Sequence, residues 1–408
     1  MKIIYVSYDG MSDALGRSQV IPYVLGLSGK GYKMHVVSCE KKQIPKEEVQ
    51  EVSELFSRHN ISWSALPFST RPPWFSKIID IVRIKNTVDR LHRKHNFDLV
   101  HCRSYVAALA GLHLKRKYGV KFVFDMRGFW ANERIEGNIW SLYNPFYNLI
   151  YRYFKKKEKD FFEHSDAVVS LTRNGRQVIK ELFGKDAFEK TGVIPCCVDT
   201  DLFSKANISA ESASKVKNQL GITEQDFVLS YLGSIGTWYM TDEMLRFFKL
   251  LQNQYNPSKF LFISGDDPQE IYKKARKLGV DTDKIVVARA TRSQVPVYLS
   301  LSDISVFFIK PVFSKRASSP TKQAEILSMG IPLICNTGIG DTDLLFADEK
   351  VGVVLRSFSE EEFVRAIGKI KEVLKADPAI IRGRALKHFN LQDGIEKYHQ
   401  LYQSILST

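Results

Sequence analysis

The residues best suited to chemistry lie at 318–332, where helix-capping residues precede a lysine. Ser319 is a residue type that caps helices, and Pro320 suits a first helical turn. The amides of Thr321 and Lys322 would then point out of the helix start, toward the positive end of the helix dipole. Backbone amides at such a point bind phosphate groups. This stretch therefore predicts a phosphate site.

Lys322 and Glu325 stand three residues apart, so a helix would place both side chains on one face. The lysine could bind a diphosphate while the carboxylate, one turn deeper, accepts hydrogen bonds from ribose hydroxyls. The pattern therefore indicates a nucleotide site. A capped helix with an ordinary intrahelical ion pair accounts for the same residues, and the local pattern leaves both interpretations open.

Glycine-containing loops follow the first strand-like run in each half of the chain. Gly233 and Ser234 would let the backbone approach a phosphate closely, although a plain tight turn explains them equally well. No Gly-Lys-Ser/Thr follows them, so this is not a P-loop. Gly10 and Gly16 lack the full G-x-G-x-x-G spacing, so a dinucleotide fingerprint is not supported.

Charged side chains follow two further strand-like runs. Arg127 could contact a diphosphate or an acceptor, and Glu133 could orient a hydroxyl group, although an ion-paired loop is the plainer interpretation. His101 and Arg103 end the preceding strand. A single histidine at a strand end is more often a packed residue than a catalytic one.

Metal and disulfide sites have little support. The carboxylate pairs at 266–267 and at 341 and 343 lack further ligands nearby and are better explained as helix N-caps. His92 and His95 lie in a basic helical stretch that is typical of a solvated face. Five cysteines without a C-x-x-C pair indicate neither a disulfide framework nor a structural zinc site.

Short β-branched or aromatic runs alternate with helical patterns along the whole chain. Strands are expected at Lys2–Ser7, Met34–Cys39, Asp98–Cys102, Lys121–Met126, Ala167–Leu171, Gly192–Pro195, Phe227–Gly233, Lys259–Gly265, Lys284–Arg289, Asp303–Phe308, Ile331–Cys335 and Val351–Leu355. Such an order is typical of parallel sheets with helical crossovers. The fold class predicted is α/β, with two Rossmann-like, doubly wound parallel-sheet domains facing across a cleft.

A polar, Ser- and Ala-rich stretch near 201–214 separates the two series of strands. We expect an acceptor-binding domain at 1–204 and a nucleotide-sugar-binding domain at 205–390. The last segment, 391–408, has apolar residues at helical spacing and is expected to complete the first domain.

Composition places the chain among ordinary globular proteins. Its 408 residues suggest two or three domains, and 44% apolar with 25% charged residues excludes a disordered, collagen-like or coiled-coil chain. No run approaches the roughly 18–20 apolar residues of a membrane span. The first apolar run is too short for a secretory signal, so a cytoplasmic chain is expected.

The net charge of +14 is unevenly distributed. Residues 1–200 hold 32 basic and 21 acidic residues, a balance of +11, whereas the remainder holds 27 and 24, a balance of +3. A basic half indicates nucleic acid, an anionic membrane surface or a phosphorylated substrate as a partner.

Taken together in chain order, these motifs resemble the glycosyltransferase family 4 enzymes of the GT-B fold. The resemblance covers nearly the whole chain and is carried by Gly16, Phe97-Asp-Leu-Val-His101, Asp166-Ala-Val-Val-Ser-Leu-Thr172, Val193-Ile-Pro-Cys-Cys-Val-Asp199, Tyr231-Leu-Gly-Ser234, Val295-Pro-x-Tyr-Leu-x-Leu-Ser-Asp303 and Pro320-Thr-Lys-x-x-Glu325 with Gly330-x-Pro332. It implies a retaining sugar transfer from a UDP- or GDP-type nucleotide sugar, with no metal and no other cofactor.

The residue patterns and the resemblance together give a set of candidate site residues. Donor-binding residues would be Gly233, Ser234, Arg289, Ser319, Thr321, Lys322 and Glu325. An acceptor or phosphate loop would contain Gly16, Arg17 and His101. Catalytic groups would be Arg103, Arg127, Glu133 and Lys322.

Three positions depart from the family pattern. Ala317 stands eight residues before Glu325, where the family often has a first glutamate. The usual arginine and lysine after the strand that ends at Gly233 are absent, and Arg103 occupies the place where a catalytic histidine is often found. Neutralising a diphosphate then depends on Lys322, Arg103, Arg127 or Arg316.

The expected partners are a nucleotide sugar and a saccharide or lipid-linked saccharide acceptor, as in bacterial polysaccharide assembly. Arg71–Phe75 and Lys155–Lys157 could rest on an anionic membrane surface, which would place the chain at the inner face of the cell membrane. A nucleotide-sugar epimerase of the same fold is the alternative enzyme. A basic nucleic-acid-binding protein is the alternative non-enzyme, but no stacking platform accompanies the basic residues, so no nucleic acid is expected.

Overall fold

The computed structural model describes residues 1–70, 76–348 and 350–407, and the chain divides into two compact units. The first unit contains Met1–Cys196, Arg316–Ser318 and the segment from Leu391 onward. The second contains Cys197–Lys315 and Ser319–Asn390.

The first unit is built on a seven-stranded parallel sheet in the order β3-β2-β1-β4-β5-β6-β7. Its strands are β1 Lys2–Ser7, β2 Lys33–Glu40, β3 Ser62–Pro67, β4 Leu99–Arg103, β5 Lys121–Asp125, β6 Ala167–Ser170 and β7 Thr191–Val193. Its helices are α1 Ala14–Gln19, α2 Ile21–Gly29, α3 Lys46–Arg58, α4 Ser76–His95, α5 Ser104–Tyr118, α6 Trp130–Glu136, α7 Pro145–His164 and α8 Arg173–Glu189.

The second unit is built on a six-stranded parallel sheet in the order β10-β9-β8-β11-β12-β13. Its strands are β8 Phe227–Leu232, β9 Ser258–Ile263, β10 Ile285–Ala288, β11 Ile304–Val306, β12 Leu333–Asn336 and β13 Gly352–Leu355. Its helices are α9 Ala210–Gln219, α10 Thr241–Leu251, α11 Pro268–Lys277, α12 Val295–Leu299, α13 Thr321–Ser328, α14 Thr342–Leu345, α15 Glu360–Val373 and α16 Pro378–Phe389.

Helix α17, Leu391–Leu406, returns to the first unit and packs against α2. Tyr398 and Tyr402 are buried there beside His101 of β4. A Cβ on Gly26 of α2 would lie 2.3 Å from the Ile395 side chain, so the glycine lets the two helices approach closely. The last helix therefore supplies part of the first unit's core.

Central strands of both sheets are buried on both faces, as in β4 and β12. Side chains on both faces of such a strand are covered, which requires helices on both sides of the sheet. The predicted pair of doubly wound Rossmann-like sheets is confirmed. In each sheet the winding reverses once, between β1 and β4 and between β8 and β11, and loops at such a point are where ligands bind in this architecture.

The structure differs from the expectation in one strand, in a helix of the expected linker and in the position at which the units divide. Strand β3 was not expected, because it is an edge strand whose residues are half-buried or exposed rather than an apolar run. Helix α9 lies in the stretch taken as a polar linker and buries none of its residues. The units divide at 196/197 rather than at 204/205, because Val198 pairs with Asn390 and Phe203 joins the second core.

No helix in the described ranges combines the length and the apolar character that crossing a membrane requires.

Candidate active site

In the second unit, the loop after β8 lies against Lys322 of α13. Gly233 has a φ of +108°, and a Cβ built on it would lie 2.9 Å from Lys322 Nζ. The amine donates a hydrogen bond to the Tyr231 hydroxyl at 3.0 Å. Two residues that the sequence assigned to the donor, 89 positions apart, are thus brought into contact at the point where the sheet reverses its winding.

Aromatic rings surround the buried Lys322 amine. Nζ lies 3.6 Å from the centre of the Tyr239 ring and 4.2 Å from that of Tyr231. Burial lowers the pKa of Lys322 well below its usual value, and the carboxylates of Glu325 and Asp266 offset this only in part. An anionic ligand next to this amine would raise its pKa again, because a nearby negative charge favours the charged form.

Glu325 is 4% exposed and forms its ion pair with Arg292, not with Lys322. The intrahelical ion pair considered from the sequence is therefore wrong. The Arg292 guanidinium also lies 4.6 Å from the centre of the Phe203 ring, which fixes its orientation. Arg292 was missed because it is 33 residues from Glu325, and no local spacing links the two.

Helix α13 begins one residue later than the sequence suggested. Pro320 occupies the N-cap and Thr321 is the first helical residue, so Ser319 is not the cap. The amides of Thr321 and Lys322 still open the helix, where backbone donors lack partners within the helix. The phosphate site at this helix start stays a prediction, with Pro320 instead of Ser319 as the cap.

Other groups fix the loop after β8. The Ile235 amide donates to Asp266 at 2.6 Å, and the Ser234 carbonyl accepts a hydrogen bond from the Tyr231 hydroxyl. Asp267 caps α11 as expected, whereas its neighbour Asp266 holds this loop.

A second buried lysine also lies against this loop. Lys315 is 6% exposed, and its amine lies 3.8 Å from the centre of the Trp238 ring. The loop residues 233–240 therefore meet two lysines through aromatic faces, Lys322 through Tyr239 and Lys315 through Trp238. Sequence reasoning missed Lys315. In contrast, Arg289 is exposed and donates to the Gly265 carbonyl at 2.7 Å, beyond the end of β9.

In the first unit, Gly16 lies where α1 crosses the loop after β1. A Cβ on Gly16 would lie 2.1 Å from the Gly10 carbonyl oxygen, so no other residue fits without a backbone shift. The amides of Met11 and Ser12 donate to the buried Glu40 carboxylate at 2.8 and 3.1 Å. Backbone packing thus requires Gly16, and the loop amides that it faces already have an acceptor.

Arg103 lies at the point where the first sheet reverses its winding. It ends β4, is 5% exposed and forms an ion pair with Asp9, which follows β1, at 2.5 Å. Its Nε has no hydrogen-bond partner within the described ranges. The next residue, Ser104, has a φ of +68°, a conformation that non-glycine residues rarely adopt.

Arg127 has the same unusual backbone, with a φ of +58° directly after β5 and Met126. Its guanidinium lies 3.8 Å from Asp125 and donates to Gln19 at 3.4 Å and to the Cys196 sulfur at 3.1 Å. Its Nε has no partner among the described residues. Left-handed non-glycine residues collect at functional sites, so this corner is the first unit's strongest site candidate.

His101 is 1% exposed, and both ring nitrogens are engaged. Nδ1 lies 2.6 Å from the Tyr402 hydroxyl and Nε2 lies 3.5 Å from Asp125 Oδ2. Burial lowers the pKa of His101 below its usual value despite the hydrogen bond to Asp125. We therefore assign His101 a packing role between β4 and α17 instead of contact with an acceptor.

The two remaining residues of the first-unit set lie on helices. Arg17 of α1 pairs with Glu51 at 2.8 Å and with Glu48 at 3.5 Å, so its guanidinium is directed toward α3. Glu133 lies half-buried in the first turn of α6, and its amide donates to the Phe129 carbonyl.

One group of possible metal ligands meets in the described part of the chain. Asp160, Glu163 and His164 place ligand atoms within 4.8 Å of one another near the end of α7. Helix α7 ends where β6 is about to begin, whereas the candidate side chains follow the opposite, carboxyl ends of the strands. These three residues therefore lie at the opposite end of the sheet from the candidate site residues.

Two family models match the chain, one in each half. The model described as Glycosyltransferase Family 4 matches residues 23–202, and the model described as Glycosyl transferases group 1 matches residues 212–379. No curated protein matches the chain.

Solved glycosyltransferases share the fold over the whole chain. A glycosyltransferase from Rickettsia africae is 17% identical with a TM-score of 0.73 and coverage of 99% of this chain and 98% of that one. Sucrose-phosphate synthase from Thermosynechococcus elongatus is 16% identical, with a TM-score of 0.75 and coverage of 100% and 99%. Anabaena HepE, solved in complex with UDP and glucose, is 13% identical, with a TM-score of 0.69 and coverage of 99% and 100%. With a family match in each half and this fold, the chain belongs to the family 4 glycosyltransferases of the GT-B type.

Proposed function

We propose that this protein transfers a sugar, with retention of configuration, from a nucleotide-diphosphate sugar to a saccharide or lipid-linked saccharide acceptor in bacterial surface polysaccharide synthesis. The observation that carries the proposal is the contact between Gly233 and the buried amine of Lys322 beside the start of α13. A buried lysine next to helix-opening amides and a glycine loop suits the two phosphates of such a donor.

The second unit would bind the donor. Lys322 and Lys315 would neutralise the diphosphate as it leaves, since cationic groups in a desolvated site stabilise developing negative charge. Glu325, oriented by Arg292, would accept hydrogen bonds from the ribose hydroxyls. Anabaena HepE, which has this fold, was solved in complex with UDP and glucose, so UDP is the first donor nucleotide to test.

The first unit would bind the acceptor. Arg103 and Arg127 each keep one guanidinium nitrogen without a partner in the described residues, so both retain a donor for an anionic substrate group. Glu133 would orient the acceptor hydroxyl. That hydroxyl would attack from the side of the leaving group, with a phosphate oxygen of the departing diphosphate as the base. Transfer would proceed without a metal, at the cytoplasmic face of a membrane that carries the acceptor.

Thermal shift with UDP, GDP, ADP and CMP and their sugars tests the donor assignment. A nucleotide at about 100 times its Kd should stabilise the protein by about 2.7 kcal/mol. The variants Lys322→Ala and Glu325→Gln should lose the shift, while the exposed controls Lys371→Ala and Glu270→Gln should keep it. Full shifts in both site variants would contradict the assignment.

Transfer itself is tested with a labelled donor and a membrane lipid extract as the acceptor. Label should enter the extract, the anomeric configuration of the product should match that of the donor, and EDTA should leave the rate unchanged. Conversion of the donor to its epimer without any acceptor would replace the proposal with the epimerase alternative.

A further inference from the structure

Helix α7 and the loop before it expose large apolar side chains to solvent. Tyr143 is fully exposed and Leu149 is 68% exposed. The other exposed apolar residues of this region, at 36–45%, are Ile139, Leu142, Phe146 and Tyr153. A contiguous apolar patch on a globular surface marks an interaction site.

The exposed apolar residues of α7 lie on its outward face. Phe146, Leu149 and Tyr153 follow helical spacing, whereas Phe154 and Phe161 point into the core. Helix α7 therefore buries aromatic side chains in its second half and exposes apolar side chains at its start. An ordinary surface helix has a polar outward side.

Basic residues continue this outward face toward the end of α7. Arg152, Lys156 and Lys159 are exposed. The three consecutive lysines noted in the sequence do not act together, because Lys155 pairs with the buried Glu158 and Lys157 pairs with Asp160 at 2.8 Å. Within 139–159 five basic residues stand against one acidic residue, and that residue is buried. We call the six exposed apolar and three exposed basic side chains the α7 face.

Helix α4 also exposes apolar side chains next to basic ones. Helices α4 and α7 each pack against α5, and the first turns of α4 expose Ile78, Ile79 and Val82. These residues line a groove of about 560 Å³ together with Arg83 and Arg90. The other basic stretch noted in the sequence, 71–75, lies outside the described residues.

We propose that the α7 face docks the protein on an anionic lipid bilayer, with the apolar side chains inserted at the level of the headgroups and the basic side chains on lipid phosphates. Exposed aromatic and aliphatic residues gain free energy by entering a membrane interface, and neighbouring lysines and arginines add electrostatic attraction to anionic lipid. A second copy of the chain fits less well, since a symmetric contact would bring two positive faces together. The proposal rests on the proposed function for its biological sense, and it names the surface that would bring the enzyme to a lipid-linked acceptor.

Vesicle sedimentation tests this proposal without any donor or acceptor. The full chain should sediment with vesicles of phosphatidylcholine and phosphatidylglycerol and much less with phosphatidylcholine alone. The variant Tyr143→Ser/Leu149→Ser should lower the partition coefficient roughly tenfold. The variant Arg152→Glu/Lys156→Glu should lower it roughly 20-fold or more, since each basic residue near an anionic surface contributes about fivefold.

Matched control variants show whether vesicle binding depends on the α7 face or only on the net charge and apolar surface of the protein. Lys371→Glu/Lys375→Glu changes the net charge equally on exposed positions of the second unit, and Val364→Ser removes an apolar side chain that is 58% exposed there. Both should sediment like the parent, and all four variants should keep the thermal shift with UDP. Equal loss in the controls, no binding by the parent, or concentration-dependent dimers abolished by the α7 variants would overturn the proposal. A failed vesicle test with an intact UDP shift would leave the transferase assignment standing.

Discussion

At the scale of single residues, Gly233 decides where the Lys322 amine can lie. Alanine there would add a Cβ 2.9 Å from Nζ on a backbone with a φ of +108°. We expect Gly233→Ala to fold, to lose about 1–2 kcal/mol of stability from backbone strain, and to bind UDP at least about tenfold more weakly because the amine is displaced. Calorimetric titration with UDP measures this affinity.

The same loop provides the control for that variant. A Cβ on Gly236 would meet no atom within 4 Å, so Gly236→Ala should bind UDP like the parent. If Gly233→Ala and Gly236→Ala both bound UDP like the parent, Lys322 would not belong to the donor site.

Burial of the Lys322 amine should also lower the free energy of unfolding of the unliganded protein. The pKa of Lys322 is lower in the folded chain than the ordinary 10.5 of the unfolded chain. At pH values between the folded and the unfolded pKa, the unfolded chain binds more protons, so the free energy of unfolding rises with pH. Lys322→Met should flatten that rise, stabilise the free protein by roughly 1 kcal/mol at neutral pH and abolish the UDP shift. Urea unfolding from pH 7 to pH 10 measures the slope. The exposed Lys371→Met should change none of these, and a destabilised Lys322→Met that still binds UDP would refute the assignment.

Local spacing was enough to single out Lys322, Glu325 and Gly233, because each sits beside a recognisable strand or helix end. It was not enough for Arg292 or Lys315, whose partners are brought to them only by folding. For His101 the strand-end position favoured a packed residue, but the tyrosines that enclose it could not be identified, since they come from a helix about 300 residues further along the chain.

At the scale of elements, helix α1 can approach the loop after β1 only because residue 16 is glycine. In Gly16→Ala, a Cβ 2.1 Å from a carbonyl oxygen would force the helix and the loop apart. We expect a loss of about 2–3 kcal/mol, at the upper end of what overpacking costs. Urea unfolding followed by tyrosine and tryptophan fluorescence measures the change.

Gly29, near the end of α2, has open space around its Cα. Gly29→Ala should therefore be neutral or slightly stabilising, since alanine is the better helix former. Equal stability of the Gly16→Ala and Gly29→Ala variants would show that the loop after β1 can shift without any loss of unfolding free energy.

The elements that could be predicted from the sequence are those whose residues are buried on every side. Strands β1, β5, β9 and β12 are apolar or small along most of their length, and their approximate positions were predicted. Helix α3 was missed because only Val52 and Phe56 of its residues are buried. A surface element leaves a weak pattern, since few of its positions are constrained by the core.

At the scale of the whole molecule, one half-buried and one buried histidine with lowered pKa values should make the protein sensitive to acid. Burial, together with the nearby His95, lowers the pKa of His35 from 6.5 to about 4, and burial also lowers the pKa of His101. Their contribution to stability is complete above pH 6.5 and is lost as the pH falls toward 4, because the unfolded chain then binds the protons. Thermal unfolding at pH 7, 6, 5 and 4 should show this decline.

Replacing His35 by glutamine should reduce the slope of that decline, because the group that takes up the proton is gone. The exposed His59 offers the comparison, and His59→Gln should retain the full slope. Identical slopes in the parent and in His35→Gln would show that His35 is protonated in the folded state as readily as in the unfolded state.

Helix α17 has a consequence for how the protein is made. Residues 1–196 leave the ribosome without Ile395, Tyr398 and Tyr402, which the core of their unit needs. All of the second unit, Cys197–Lys315 and Ser319–Asn390, is synthesised before those side chains are. The half that is translated first thus waits longest for its last core element, and its unfilled core is what a chaperone would have to shield until α17 has been synthesised.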